Sequence, residues 1–224
     1  MELDLRQDIA IVTVIGVESF PCSMLGQKKV FTMKGEGQSG NLKLPWNLPM
    51  TWLEKQLTEL IRRDMPNEMF IVTELINQDE PDQIVKVMID SYLSHHEHKT
   101  IVGVNDNNTS FDVGKEILQK ALNAAHFSTP AALATIVKSR SSAYKAGASM
   151  LIYRDGQTYG TIGGGYAESQ VRQVALNVID NEKPHIHKVS LSEKVDIADS
   201  ESLASGLILE VFTEPVKSFM HFFY

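Results

Sequence analysis

The run from Ile9 to Val17 is almost continuously apolar and β-branched, the pattern of a strand covered on both faces. Val30 to Met33 and Leu42 to Leu44 read as two shorter strands, with Lys34-Gly35-Glu36-Gly37 as the turn between them. The period then changes. Trp52, Leu53, Leu57, Leu60 and Ile61 recur at helical spacing, between a start at Pro49-Met50-Thr51 and a stop around Pro66. Met69 to Leu75 and Ile84 to Ile89 return to strand patterning, and Leu93 to Asn108 is polar. A second helix is predicted from the stripe Ile117, Leu118, Ala121, Leu122 and Ala125, with Asp112 as its N-cap. Beyond Pro130 come a strand over Ala132 to Lys138 and another over Met150 to Tyr153. Asp155-Gly156 is a two-residue hairpin signal, after which a short strand ends in Gly163-Gly164-Gly165. Val171, Val174, Ala175, Val178 and Ile179 then mark a third helix, and Leu207 to Phe212 a late strand.

This order occurs twice. Thr13-Val14-Ile15 matches Thr135-Ile136-Val137, Gly26 matches Gly147, Gly35 matches Gly156, and the stripe Leu53, Leu57, Leu60, Ile61 falls on Val171, Ala175, Val178, Ile179. The spacing drifts by only a few residues, as loop insertions produce. The expected fold is therefore α+β, a tandem repeat of two similar mixed-sheet units, each with a main helix packed on one face. The expected boundaries are residues 1–93 for a first, degenerate unit, 94–112 for a linker, and 113–224 for the second unit.

With 224 residues and 43% hydrophobic content the chain is long enough to bury a sizeable core. The formal charge of -7, with no basic run longer than Lys28-Lys29, argues against nucleic acid as a partner. No apolar stretch approaches membrane-spanning length and the start carries no signal pattern, so no membrane association is expected. A single cysteine, Cys22, fits a reducing compartment, and the chain reads as cytoplasmic.

The glycine turn is the strongest chemical candidate. A strand-to-helix junction leaves N–H groups without intrahelical acceptors, and glycines let a ligand approach them, so an anion fits there; a tight turn that needs glycine for its angles is the structural alternative. Glu168, in the first helical turn, is either a ligand contact or a carboxylate favoured by the helix dipole. Ser141 and Ser142 offer anion-binding hydroxyls with Lys145 as a nearby cation, but no histidine stands at a spacing that makes a hydrolase triad. His185 and His187 share a strand face without a third metal ligand in view, so no metal site is expected. No catalytic residue is assigned, and the chain reads as a non-enzyme. Phe219, Met220, Phe222, Phe223 and Tyr224 crowd the C-terminal end; they are covered either by a partner, a second copy being the expected one, or by the chain's own fold.

Residues Ala132-Leu133-Ala134-Thr135-Ile136-Val137, Ser141-Ser142, Gly147-Ala148-Ser149-Met150, Gly160-Thr161-Ile162-Gly163-Gly164-Gly165-Tyr166-Ala167-Glu168 and Glu210-Val211-Phe212-Thr213-Glu214-Pro215 together resemble the XdhC/CoxI family. The resemblance covers roughly residues 113 to 217. It implies an accessory protein that helps mature a xanthine-dehydrogenase-type molybdenum enzyme, its partner, and that binds or presents the molybdenum cofactor (molybdopterin). Ser141, Ser142, Lys145, Gly163, Gly164, Gly165, Tyr166 and Glu168 are the cofactor-binding residues it implies. Family members commonly carry a cysteine where this chain has Tyr166 and another where it has Ser205, a Pro-Arg pair where it has Ala143-Tyr144, and a further Rossmann-like domain beyond the point where this sequence ends. The alternative implied by those departures is a degenerate family member acting as an interaction or structural subunit.

Overall fold

The computed structural model describes residues 9–19, 22–32, 37–40, 70–76, 82, 84–92, 110–140, 144–191 and 207–222. The first unit contributes β1 (Ile9–Glu18), β2 (Lys28–Thr32), β3 (Gly37–Gly40), β4 (Phe70–Ile76) and β5 (Ile84–Tyr92), in sheet order β3-β2-β1-β5-β4. The second contributes β6 (Ala131–Lys138), β7 (Ser149–Tyr153), β8 (Thr158–Gly160), β9 (His185–Leu191) and β10 (Leu207–Pro215), in order β8-β7-β6-β10-β9. Helix α1 (Ser110–His126) precedes β6 and helix α2 (Gly165–Asn181) joins β8 to β9. The 3-10 segment Val216–Phe222 follows β10.

The class is mixed α and β, as expected. Every strand pair among the described residues is antiparallel, so the sheets are not internally mixed as the sequence reading had them. The reason lies in the connections: neighbours are either joined by tight turns, as β7 and β8 are through Asp155-Gly156, or enter the sheet from the opposite end, as β10 does beside β6. The expected strand Leu42 to Leu44 and the expected helix of the first unit lie outside the described residues; the third strand described is Gly37–Gly40. Helix α1 begins at Ser110, so Asp112 sits inside its first turn and not at the cap.

The two sheets follow one plan. Thr13 pairs with Lys28 on one side and Met88 on the other, and Thr135 pairs with Ser149 and Phe212. Ile11 lies between Val30 and Asp90 as Leu133 lies between Leu151 and Glu214. Both central strands carry a bulge at the corresponding place: register shifts between Val14 and Gly16 on β1, and between the partners of Glu210 and Val211 on β6.

Burial explains the sequence patterns. The second sheet is covered on both faces, and β6 is accordingly buried from Ala131 through Val137. On one face Ala167, Val171, Ala175, Val178 and Ile179 of α2 pack on Ala134, Ile136, Ile152, Val189 and Leu209. On the other, Ile117, Leu118, Ala121 and Leu122 of α1 join Leu133 and Leu151 to Ile9, Ile11 and Val30 of the first sheet. Ile15, Met88, Val137 and Phe212, equivalent residues taken in pairs, form a further buried cluster between the sheets. Phe219 is 2% exposed in the α1 cluster with Val216, and Met220 packs against it, so this part of the C-terminal tail is covered by the chain's own helix.

Candidate functional site at the glycine turn

Strand β8 ends at Gly160, whose φ of +81° and surroundings both demand glycine: a Cβ there would lie 2.5 Å from Ile117 Cδ1 and 2.8 Å from the Ser149 carbonyl oxygen. The chain thus passes hard against α1 before turning into α2. The turn has three consecutive positive φ angles, 114° at Gly163, 79° at Gly164 and 64° at Gly165, which explains the glycine triplet by backbone conformation. Close packing plays no part at two of them, because a Cβ on Gly164 or Gly165 would meet no atom within 4 Å. The positions where side chains would stand on Gly164 and Gly165 are open, and the N-cap residue, Gly164, has no side chain with which to cap the helix.

Glu168 organises this turn from below. Its Oε1 accepts from Thr161 Oγ1 at 2.5 Å, Gly164 N at 3.0 Å and Ile162 N at 3.3 Å, while Arg172 lies 3.5 Å from Oε2. Gly163 N in turn donates to Thr161 Oγ1 at 3.1 Å. The reach back to the first N–H groups resembles the carboxylate half of a capping box. Part of the anion-binding capacity read from the sequence is therefore taken up by the chain's own carboxylate. The N–H groups of Gly165 and Tyr166 remain at the helix start, where helical geometry gives them no acceptor. Tyr166 is 60% exposed.

A cleft of about 370 Å³ opens beside the turn. Thr161 and Lys145 line it, together with Ala146 to Ser149, the α1 residues Val113 to Lys115, Ile117 and Leu118, Leu133 of β6, and Asp90, Ser91 and Tyr92 from the end of β5. Of the expected site residues, the structure brings Lys145 to this cleft and sets Gly163, Gly164, Gly165, Tyr166 and Glu168 next to it through Thr161. Ser141 and Ser142 lie outside the described residues. Asp90, Tyr92 and Lys115 lie far from the glycine motif in sequence, where nothing local marks them, and Thr161 is part of that motif without having been assigned to the site.

A larger cleft of about 710 Å³ lies between the C-terminal ends of α1 and α2. Its rim carries the ion pairs Arg154–Asp180 and Lys217–Glu182, each cation facing its own anion. His185 and His187 stack on β9 with ring centroids 6.0 Å apart. His187 is pushed down to about 4 by burial, with His185 adding to the effect, and neither of its ring nitrogens has a hydrogen-bond partner. Among the described residues no group of three His, Cys, Asp or Glu side chains could hold a metal ion. None of the described helices is long and apolar enough to cross a membrane.

With this geometry in view, residues 125–190 match the sequence model of the XdhC and CoxI family. The match runs from the end of α1 to β9 and contains Ser141, Ser142, Lys145 and the glycine turn, so the resemblance read from the sequence motifs is found on the second unit. Over 70 residues the chain is 37% identical to Uncharacterized protein YqeB of Escherichia coli (strain K12), covering 31% of this chain and 13% of that protein. A solved structure, described as a xanthine dehydrogenase from Bacillus halodurans, is 26% identical with a TM-score of 0.37, covering 47% of this chain and 32% of that one. The chain thus spans a minor part of each relative's length.

Proposed function

We propose that this chain is an accessory protein for a xanthine-dehydrogenase-type molybdenum enzyme, built as two copies of one unit, whose second copy binds the molybdenum cofactor. The family match on residues 125–190 supports the accessory role. The observation that carries the binding role is the open glycine turn: three positive-φ glycines at a helix start where Glu168 takes up only the Gly164 N–H, with no atom within 4 Å of where side chains would stand at Gly164 and Gly165. Lys145 supplies a cation in the adjoining cleft. These groups fit the anionic end of a pterin cofactor, and Glu168 and Thr161 hold the turn in the receiving shape.

They do not fit its sulfur chemistry. The soft ligand suited to a metal-sulfur centre is a thiolate, and the chain's one cysteine, Cys22, belongs to the first unit, while Tyr166 stands after the glycines. The proposed role is accordingly binding and presentation, with no sulfur transfer and no catalysis by this chain. Calorimetry with the isolated cofactor tests it. Binding by the intact chain that is lost in Gly164→Val supports the reading; no binding, or binding unchanged by the substitution, overturns it.

The exposed Tyr166 ring favours a second reading, a degenerate member that docks on the enzyme without holding cofactor. Complex formation with such an enzyme, weakened by Tyr166→Ala and indifferent to cofactor, is its expected signature.

A further inference from the structure

Away from the glycine turn, β9 and β10 leave polar atoms buried and unpaired. Leu209 and Val211 of β10 and Val189 of β9 belong to the cluster packed under α2. Side chains alternate along a strand, so His185 and His187 share that face with Val189, and Thr213 shares it with Val211. The register sets His185 opposite Thr213 and His187 opposite Val211. The intervening pair, Ile186 and Phe212, joins the cluster between the sheets on the other face. Among the described residues, the buried side-chain nitrogens and oxygens without a hydrogen-bond partner are His187 Nδ1, His187 Nε2 and Thr213 Oγ1. Thr213 is 0% exposed. All three atoms thus belong to one patch of one sheet face, and native folds seldom bury polar atoms unpaired unless an ion or water fills the place.

The donor set indicates which. His185 is exposed, and its ring lies 6.0 Å from that of His187 with the planes within 3° of parallel. The side chains that share the patch, from His185 to Val189 and from Leu209 to Thr213, include no carboxylate, so the oxygen-rich shell that calcium or magnesium requires is missing. Imidazole pairs suit late first-row ions instead. The second histidine torsion is broad, and turning each ring edge-on brings one nitrogen of each toward a shared ion at the bond length of about 2.0–2.1 Å that zinc and imidazole adopt. We propose that His185 and His187 chelate a late first-row divalent cation of the zinc and copper kind through one nitrogen each, that water completes its coordination, and that Thr213 Oγ1 accepts a hydrogen bond from an ion-bound water. Exposed His185 is the point of entry. The bound ion ties the outer end of β9, the last strand in its sheet, to the part that lies beneath α2.

The full chain is titrated with zinc ion alone at neutral pH, and separately with copper(II). His95, His96 and His98 compete for such ions, so the parent for this comparison carries His95→Gln, His96→Gln and His98→Gln. One zinc ion per chain is expected, with the imidazole carbon-bound protons of His185 and His187 shifting together in the NMR spectrum, and with copper(II) bound more tightly than zinc. His185→Ala and His187→Ala are each expected to weaken zinc binding at least tenfold, and Thr213→Val to weaken it less than either. His185→Ala alters an exposed position, and an unchanged melting temperature without zinc confirms that the fold is intact. Zinc should raise the melting temperature of the parent and leave that of His185→Ala in place. Zinc affinity that is equal in the parent and in both histidine variants puts the ion elsewhere and overturns the inference. Binding that appears only at millimolar zinc, the mark of an adventitious ion only, overturns it as well.

Discussion

Lys28 of the first sheet and Glu214 of the second form a buried ion pair, 2.5 Å apart with side chains 2% and 3% exposed. Thr13 accepts from the Lys28 ammonium, Ser218 donates to the Glu214 carboxylate, and the ammonium lies 5.1 Å from the Phe219 ring centroid. Burial pushes Lys28 below the ordinary lysine range, and the Glu214 carboxylate opposes that shift. Removing one partner strands a charge in the core. Lys28→Met is therefore expected to lower unfolding free energy by about 3–5 kcal/mol, and the double substitution Lys28→Met with Glu214→Leu to recover most of it. Denaturant unfolding of the three proteins measures both quantities.

Gly160 and Gly156 both have positive φ, yet substitution should affect them unequally. A Cβ at Gly156 meets nothing within 4 Å, so Gly156→Ala carries only the left-handed backbone penalty of about 1–2 kcal/mol. At Gly160 the same penalty is joined by a backbone clash at 2.8 Å with the Ser149 oxygen, which has no flexible end to move. Gly160→Ala is expected to cost about 2 kcal/mol more than Gly156→Ala, read from paired thermal melts.

What was legible in the sequence follows from which interactions are local. The β-branched run in β1 and the stripe Val171, Ala175, Val178, Ile179 declare their burial by period alone, and Asp155-Gly156 declares its turn. The β3 segment Gly-Gln-Ser-Gly has no apolar pattern, and pairing with β2 makes it a strand. Lys28, in a doublet with Lys29, reads as a solvated charge because its partner Glu214 is remote in sequence. The glycine triplet was legible as a turn at a helix start, but not that Glu168 would fold back to occupy part of it. Lys145 was readable as a cation near the site; the Asp90 and Tyr92 wall was not, since it arrives from the other unit.

Glu168 receives three donors on one oxygen, so its loss leaves the turn unsupported. Glu168→Ala is expected to destabilise the protein by about 1–3 kcal/mol, whereas Arg172→Ala, which removes only a partly exposed pair at 3.5 Å, should cost about 0–0.5 kcal/mol. Hydrogen exchange at Ile162 and Gly164 should accelerate in the first variant and not in the second.

His187 makes stability depend on acid. Its folded value of about 4 lies below the ordinary 6.5, so the unfolded chain binds the proton more readily between those limits. The contribution is fully present above pH 6.5 and is lost as pH falls toward 4. Partial solvent access screens the effect, leaving about 1–2 kcal/mol. Carboxylates titrate in the same range, so the comparison that isolates the histidine is with His187→Leu, whose unfolding free energy should fall less between pH 7 and pH 5 than that of the parent.

The tail tests whether its aromatic content serves the fold or an assembly. Phe219 is 2% exposed against α1, so Phe219→Ala opens a cavity between the helix and the buried ion pair and is expected to cost about 3–5 kcal/mol. Lys217, two residues earlier, holds Glu182 at 2.6 Å but at the surface, and Lys217→Ala should cost at most about 1 kcal/mol. Denaturant unfolding ranks the two. A ring held chiefly by a second copy of the chain behaves differently: Phe219→Ala then lowers the sedimentation coefficient and makes stability independent of protein concentration. With the ring packed on its own helix, the loss of stability is the same at every concentration and sedimentation is unchanged.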